Sequence, residues 1–110
     1  MEIFPISLKL QQQRCLIVGG GRIAYRKASL LVKAGAIIDV VAPEIEPDLM
    51  ILVEKSTGQY IQESFSESVL DTRYRLVIAA TDQADVNKAV FDHCEQRNIL
   101  VDRKSTRLNS

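Results

Sequence analysis

The sequence has no tryptophan, one histidine and only two cysteines among its 110 residues. Cys15 and Cys94 lie far apart, and neither belongs to a C-x-x-C pair. One histidine and two isolated cysteines do not have the spacing of an all-protein zinc site, so we predict no metal site. We interpret Cys15 as a small buried apolar residue of a reducing compartment, and His93 and Cys94 as ordinary helix residues.

An excess of charge of one sign is also missing, because 14 basic and 14 acidic residues give a formal net charge of zero. We therefore expect no bulk attraction to nucleic acid or to an anionic membrane. No apolar run approaches the roughly 18 residues of a membrane span. The start, MEIFPISLKL, lacks the basic residues of a secretory signal. With 46% hydrophobic and 25% charged residues, the composition predicts a single globular domain in the cytoplasm.

Hydrophobic periodicity predicts strands that alternate with helices. Three apolar runs typical of buried strands are CLIV, AIIDVVAP and RLVIAAT. Shorter strands are predicted at ISLKL and QYIQE, with another that begins at NILV. Helices are predicted after the glycines of the first run, at DLMILVEKS and at ADVNKAVFDHCEQR, with a helical turn at SESVLD. This order predicts an α/β fold, a doubly wound parallel sheet with helices on both faces.

The helix that follows the glycines is predicted to be amphipathic and to end at Gly35. Small residues at Ala24 and Ala28 would allow this helix to pack closely. The predicted face of the helix contains Ile23, Lys27, Leu30, Leu31 and Ala34.

The segment CLIVGGGRIAYRKASLL places a glycine motif between a buried strand and a helix. Gly19, Gly21 and Ala24 match G-x-G-x-x-A in the context that the dinucleotide fingerprint requires. Gly19 would permit the tight turn, and Gly21 would let the backbone approach a pyrophosphate. The N–H groups and the positive dipole end of the helix would face the phosphates. The motif favours a Rossmann-like nucleotide-binding domain over a glycine turn that binds nothing.

The acid that usually holds the ribose, about 20 residues after the glycines, has no clean match. Asp39 lies within the second predicted strand, and Glu44 lies past Pro43. Ribose contact could instead come from the backbone of Pro43 and Glu44. No arginine follows this strand in the sequence to pair with a 2′-phosphate, so we favour NAD over NADP.

Three segments, CLIVGGGRIAYRKASLL, VVAPEI and IAATDQADVN, resemble in order and spacing the NAD-binding domain of precorrin-2 dehydrogenases. This domain also forms the N-terminal part of siroheme synthases. The resemblance extends from about Phe4 to Val101. It implies NAD-dependent oxidation of precorrin-2, a tetrapyrrole, to sirohydrochlorin, with insertion of ferrous iron in many members. It also implies a homodimer for the intact parent protein.

Carried over by position, the resemblance implies a set of cofactor contacts in three loops. The contacts are Gly19, Gly20, Gly21, Arg22, Ile23, Pro43, Glu44, Ala80, Thr81 and Asp82. Precorrin-2 has many carboxylates, so Arg22, Arg26 and Lys27 either meet acidic groups of the substrate or form a solvated helix face.

The end of the chain departs from the family. The family continues its fifth strand as N-V-V-D, whose aspartate is thought to serve both dehydrogenation and metal insertion. Asp102 matches the family's asparagine and Ser105 matches its aspartate, so we assign no catalytic residue. We expect residues 1–101 to form the NAD-binding domain and residues 102–110, DRKSTRLNS, to be a non-family tail. A truncated reading frame, and hence an inactive fragment, is the expected origin of this tail; an unusual native C-terminus is the alternative.

Two other classes of protein use a similar fold. A nucleotide-sensing regulatory module of an ion transporter and a methyltransferase both usually carry a clear acid after the second strand. This chain has VVAPE at that place. Fold analogy alone cannot separate these classes. The combination of motifs does, because the AATD segment with Asn87 favours the enzyme.

Overall fold

A computed structural model describes residues 9–103. A short 3₁₀ turn, Glu67–Val69, precedes the fourth strand and lies within the predicted helical turn. The strands and helices are β1 Arg14–Val18, α1 Arg22–Lys33, β2 Ile37–Val41, α2 Pro47–Lys55, β3 Tyr60–Ile61, β4 Leu76–Ala79, α3 Ala84–Gln96 and β5 Val101–Arg103.

The five strands form one parallel sheet in the order β3-β2-β1-β4-β5. Helices α1 and α2 pack on one face of the sheet, and α3 packs on the other. The predicted doubly wound α/β fold is confirmed. Because β1 lies between β2 and β4, the chain changes direction across the sheet at β1. Ligands of such sheets bind beyond the carboxyl ends of the strands at this switch point.

The central strand β1 is buried on both faces, as its continuous apolar run predicts. Cys15 and Ile17 face the α1 and α2 side, whereas Leu16 and Val18 face the α3 side. All four side chains are at most 2% exposed. The prediction that Cys15 is a buried apolar residue is therefore confirmed.

Helix α1 buries a narrower face than the periodicity predicts. Ala24, Ala28 and Leu31 are buried, but Leu30 is 64% exposed and Ala34 is also exposed. The prediction was wrong for Leu30 and Ala34. The small side chains let α1 approach the sheet closely, so the alanines rather than the larger Leu30 occupy the contact.

Left-handed residues follow all three helices, with Thr57, φ of +65°, after α2. Gly35, with φ of +84°, ends α1 as predicted. Asn98, with φ of +56°, reverses the chain after α3, and the N–H of Ile99 donates to the carbonyl of Cys94. The strand predicted to begin at Asn98 therefore begins only at Val101, because the preceding residues form the turn that leaves the helix.

Both ends of the chain include sequence predictions that the structure does not decide. The predicted strand ISLKL lies mostly outside the described residues, and Lys9 and Leu10 are not part of a strand. Strand β5 includes Asp102 and Arg103, the first two residues of the predicted tail. The boundary at residue 101 stays a prediction, and Ser105 lies outside the described residues. None of the helices in residues 9–103 is long and apolar enough to cross a membrane.

Candidate cofactor-binding site

A cleft of about 820 Å³ opens at the carboxyl ends of β1, β2 and β4. This volume is within the range of small-molecule sites, roughly 300–1,000 Å³. All ten residues predicted as cofactor contacts line the cleft. Glu46, Ser64, Phe65 and Val86 are among the other lining residues. The fold thus brings together three loops that are far apart in sequence, and the binding role of each residue stays a prediction.

Two glycines of the loop after β1 are required by the fold itself. Gly19 has φ of +132°, and a Cβ there would overlap the carbonyl oxygen of Ala80. A Cβ at Gly20 would overlap the carbonyl oxygen of Glu44. Gly20 also accepts a hydrogen bond of 2.8 Å from the backbone N–H of Glu46. These two glycines therefore let the three loops pack against one another.

Gly21 is different, because nothing in the fold demands a glycine there. Its φ is −101°, and a Cβ would meet no atom within 4 Å. It is the N-cap of α1, with no side-chain capping bond. The first N–H groups of a helix have no intrahelical partner and favour anions. A glycine that leaves open space beside these donors fits a bound pyrophosphate, which contacts backbone closely.

The loop after β4 is fixed by Asn87, which is only 6% exposed. Its Oδ1 accepts from the Thr81 backbone N–H at 3.0 Å, and its Nδ2 donates to the Thr81 carbonyl at 3.0 Å. Helix α3 begins after this loop, and its N-cap is Gln83, not Thr81 or Asp82. The Asn87 side chain thus bonds both backbone polar groups of Thr81 and fixes this residue in the loop. The sequence motif included Asn87 but gave no hint of this role.

Arg22 lies at the mouth of the cleft between two carboxylates. Its Nη1 is 3.1 Å from Glu46 Oε1 and 3.5 Å from Asp48 Oδ2. The guanidinium carbon lies 4.6 Å from the ring centroid of Tyr25. The hydrogen bond to Glu46 raises the pKa of Arg22, with a smaller contribution from Asp48. We call Glu46 and Asp48 together the acidic clasp.

The other two basic residues of the predicted helix face are not part of the cleft lining. Lys27 Nζ lies 3.1 Å from Asp102 Oδ2, which joins α1 to β5. Arg26 is exposed. Asp102 is thus paired with Lys27, and the interpretation that it does not replace the family's aspartate stays a prediction.

Asp39 has a structural partner set that the sequence did not reveal. The side chain is fully buried, and its Oδ1 accepts from Arg14 Nη1 at 2.7 Å and from the Gln59 N–H at 3.0 Å. The Tyr74 hydroxyl donates to Oδ2 at 2.7 Å. Burial and this bond raise the pKa of Tyr74. Asp39 thus links β1 to the segments that precede β3 and β4.

Glu44 is the exposed acid closest in sequence to the end of β2. It lines the cleft together with Pro43. The Tyr60 hydroxyl donates to the Ala42 carbonyl at 2.9 Å, which fixes the backbone just before this pair. Burial raises the pKa of Tyr60, and the Glu44 carboxylate adds to the shift. The segment is therefore positioned by its neighbours, and its carboxylate is free to face solvent or a ligand.

The cysteines are buried free thiols. Burial raises the pKa of both Cys15 and Cys94 to about 11. In the part of the chain that the structure describes, His, Cys, Asp and Glu side chains form no cluster of three that could hold a metal ion.

The parallel sheet, its glycine loop and the cleft define a Rossmann-type dinucleotide-binding domain. A family model described as "Putative NAD(P)-binding" matches residues 6–108. The chain belongs to this family of NAD(P)-binding domains.

Known proteins similar to this chain include siroheme synthases and a precorrin-2 dehydrogenase. Over 101 residues, 92% of this chain, it is 70% identical to the siroheme synthase of Acinetobacter baylyi and 52% identical to that of Chromobacterium violaceum. The chain spans only 22% and 21% of their lengths. A solved structure of SirC, a precorrin-2 dehydrogenase, matches 98% of this chain and 52% of its own, with a TM-score of 0.77 and 27% identity.

These comparisons confirm the family resemblance and the prediction of a nicotinamide dinucleotide as cofactor. They give no support to the transporter module as an alternative.

Proposed function

We propose that this chain is the cofactor-binding part of an enzyme that oxidises precorrin-2 to sirohydrochlorin with NAD. One observation carries the proposal: the open glycine position at Gly21 occurs in a chain 70% identical to a segment of a siroheme synthase. The fold has no need of a glycine there, whereas a closely bound pyrophosphate has. The similarity to SirC supports the same reaction.

Different residues of the cleft would contact different parts of the cofactor. Gly21 and the N–H groups that begin α1 would hold the pyrophosphate. Pro43 and Glu44 would contact the adenosine ribose, and the segment from Ala80 to Asp82 would lie beside the nicotinamide. When bound, NAD accepts the hydride that the substrate loses. The substrate also loses a proton, so that one further double bond forms in the macrocycle.

We propose further that these 110 residues do not turn over alone. A serine hydroxyl, as at Ser105, is a very weak acid and base near neutral pH, unlike the aspartate of the family. Holding a tetrapyrrole at the correct distance from the nicotinamide is a positioning effect, which requires surfaces on both reactants. Ferrous iron insertion, a homodimer and a cytoplasmic location belong to the same proposal for the intact parent.

The test is NADH formation from NAD and precorrin-2, followed by absorbance. Three proteins are compared: this chain, its Ser105→Asp variant, and that variant continued with the C-terminal part of the Acinetobacter baylyi siroheme synthase. We expect turnover only from the third protein. Turnover by the bare chain would overturn the claim that it needs further segments. Failure of the continued protein, when it is folded and binds NAD, would contradict the proposed reaction.

A further inference from the structure

The contacts of Arg22 concern the choice between NAD and NADP. We infer that the acidic clasp, Glu46 and Asp48, withholds Arg22 from the 2′-phosphate of NADP and so makes the site specific for NAD. The inference rests on the proposed role of the cleft as the NAD site. It assigns a specificity function to residues outside the predicted cofactor contacts.

The fold places Arg22 in the corner where the two cofactors differ. In Rossmann domains the adenosine ribose lies at the end of the second strand, and an arginine nearby accommodates the 2′-phosphate of NADP. The loop after β2 folds back over the glycine loop, because the Glu46 N–H donates to the Gly20 carbonyl at 2.8 Å. This contact brings Arg22 beside Glu46, which lies 24 positions later in the chain. The sequence shows no arginine at this strand end, but the fold supplies one.

Arg22 is the only basic residue that lines the cleft within residues 9–103. Its guanidinium is already shared by Glu46 at 3.1 Å and Asp48 at 3.5 Å, and it lies over the ring of Tyr25. A guanidinium presents its N–H groups in a fixed planar fork, so donors that face the clasp cannot also face a phosphate. Both carboxylates are contacted by Nη1, so a 2′-phosphate could take the Nη1 donors only if Arg22 left the acidic clasp.

The charge around this corner acts in the same direction. Glu44 lies two residues before Glu46. Three carboxylates, those of Glu44 and of the acidic clasp, therefore lie near the single guanidinium of Arg22. A phosphate monoester adds a charge of about −1.5 to −2 near neutral pH. Like charges at short range disfavour such a ligand, whereas the two ribose hydroxyls of NAD carry no charge and can donate to a carboxylate.

Folding stability does not explain the clasp. The side chains of Arg22, Glu46 and Asp48 are 55%, 40% and 61% exposed. Exposed ion pairs of this kind contribute little to stability. A difference in affinity between two cofactors needs only a modest energy, since tenfold selectivity corresponds to a small change in binding free energy.

The experiment measures the dissociation constants of NAD and NADP by calorimetry at low salt. The proteins are the unmodified chain, the double variant Glu46→Gln/Asp48→Asn and the triple variant that adds Arg22→Gln. A charge-matched control, Glu54→Gln/Glu95→Gln, removes two exposed carboxylates that have no ion pair within residues 9–103. Circular dichroism verifies that each variant is folded.

We expect the double variant to improve NADP binding relative to NAD by about tenfold or more, and the triple variant to lose this gain. The control pair should leave the ratio unchanged. An unchanged ratio in the double variant would overturn the inference. A gain that persists without Arg22 would also overturn it, because carboxylate repulsion alone would then set specificity. If the unmodified chain binds neither cofactor, the proposed function itself fails, which is a separate outcome.

Discussion

Replacing Gly21 with valine should abolish NAD binding while the fold survives. The position has an ordinary φ of −101° and no atom within 4 Å of a Cβ, so the side chain would enter only open cleft. Valine is a poorer N-cap than glycine, which should cost about 1 kcal/mol of stability. A chain of this size can tolerate that loss without unfolding.

The loss in binding should be much larger than the loss in stability. Hydrogen bonds from backbone N–H groups to a charged phosphate contribute about 1.5–3 kcal/mol each. Two such bonds, blocked by the valine methyl groups, correspond to about 3–6 kcal/mol, or roughly two to four orders of magnitude in the dissociation constant. Calorimetric titration with NAD measures this change directly.

Two control variants distinguish an effect on NAD binding from an effect on the stability of the helix or the fold. Ala34→Val places the same side chain at the exposed C-cap of α1 and should leave NAD affinity unchanged. Gly20→Ala should destabilise the fold, because its Cβ would overlap the Glu44 carbonyl oxygen. If Gly21→Val is folded and binds NAD within threefold of the unmodified chain, then Gly21 does not provide the approach to the pyrophosphate and the reasoning is refuted.

Three other perturbations test how the site is supported. Asp39→Asn should lower the free energy of unfolding by about 2–4 kcal/mol in urea titrations, because the Arg14 guanidinium and two neutral donors lose their buried anion. Glu63→Gln, at an exposed position, should change it by less than about 0.5 kcal/mol. Asn87→Ala should cost about 2 kcal/mol and weaken NAD binding, since the Thr81 peptide loses both partners; unchanged affinity would show that the loop is positioned otherwise. The free energy of unfolding should fall as the pH rises from 9 to 11, because the Cys15 and Cys94 thiols ionise near 9.0 when unfolded but near 11 when folded. The double variant Cys15→Ala/Cys94→Ala should show a shallower fall.

The sequence predicts the sheet well because buried parallel strands have continuous apolar runs. CLIV contains four of the five residues of β1, and RLVIAAT contains all of β4. Their position in the alternating pattern defines the switch point. Helix faces are less predictable. Leu30 was assigned to the buried face by hydrophobicity, yet the closeness of α1 to the sheet selects Ala24 and Ala28.

The candidate site also has a part that the sequence predicts and a part that it does not. Its ten predicted residues were found from a local motif and a family resemblance, and all of them line one cleft. The partners of Asp39, Asn87 and Arg22 were not predicted, because each contact joins residues that approach only in the folded sheet. Arg22 is the clearest case, since Glu46 is 24 positions away in sequence but 3.1 Å away in space.

We therefore expect binding of the cofactor and turnover of the substrate to depend on different parts of the protein. Every predicted cofactor contact lies between Gly19 and Asp82, and the contacts that position them also lie within residues 9–103. The residue aligned with the family's aspartate, Ser105, lies beyond this part. Because all residues that line the cleft lie within residues 9–103, NAD affinity should be measurable in a chain that does not oxidise precorrin-2. A variant at Gly21 should then change binding, whereas a variant at Ser105 should leave it unchanged.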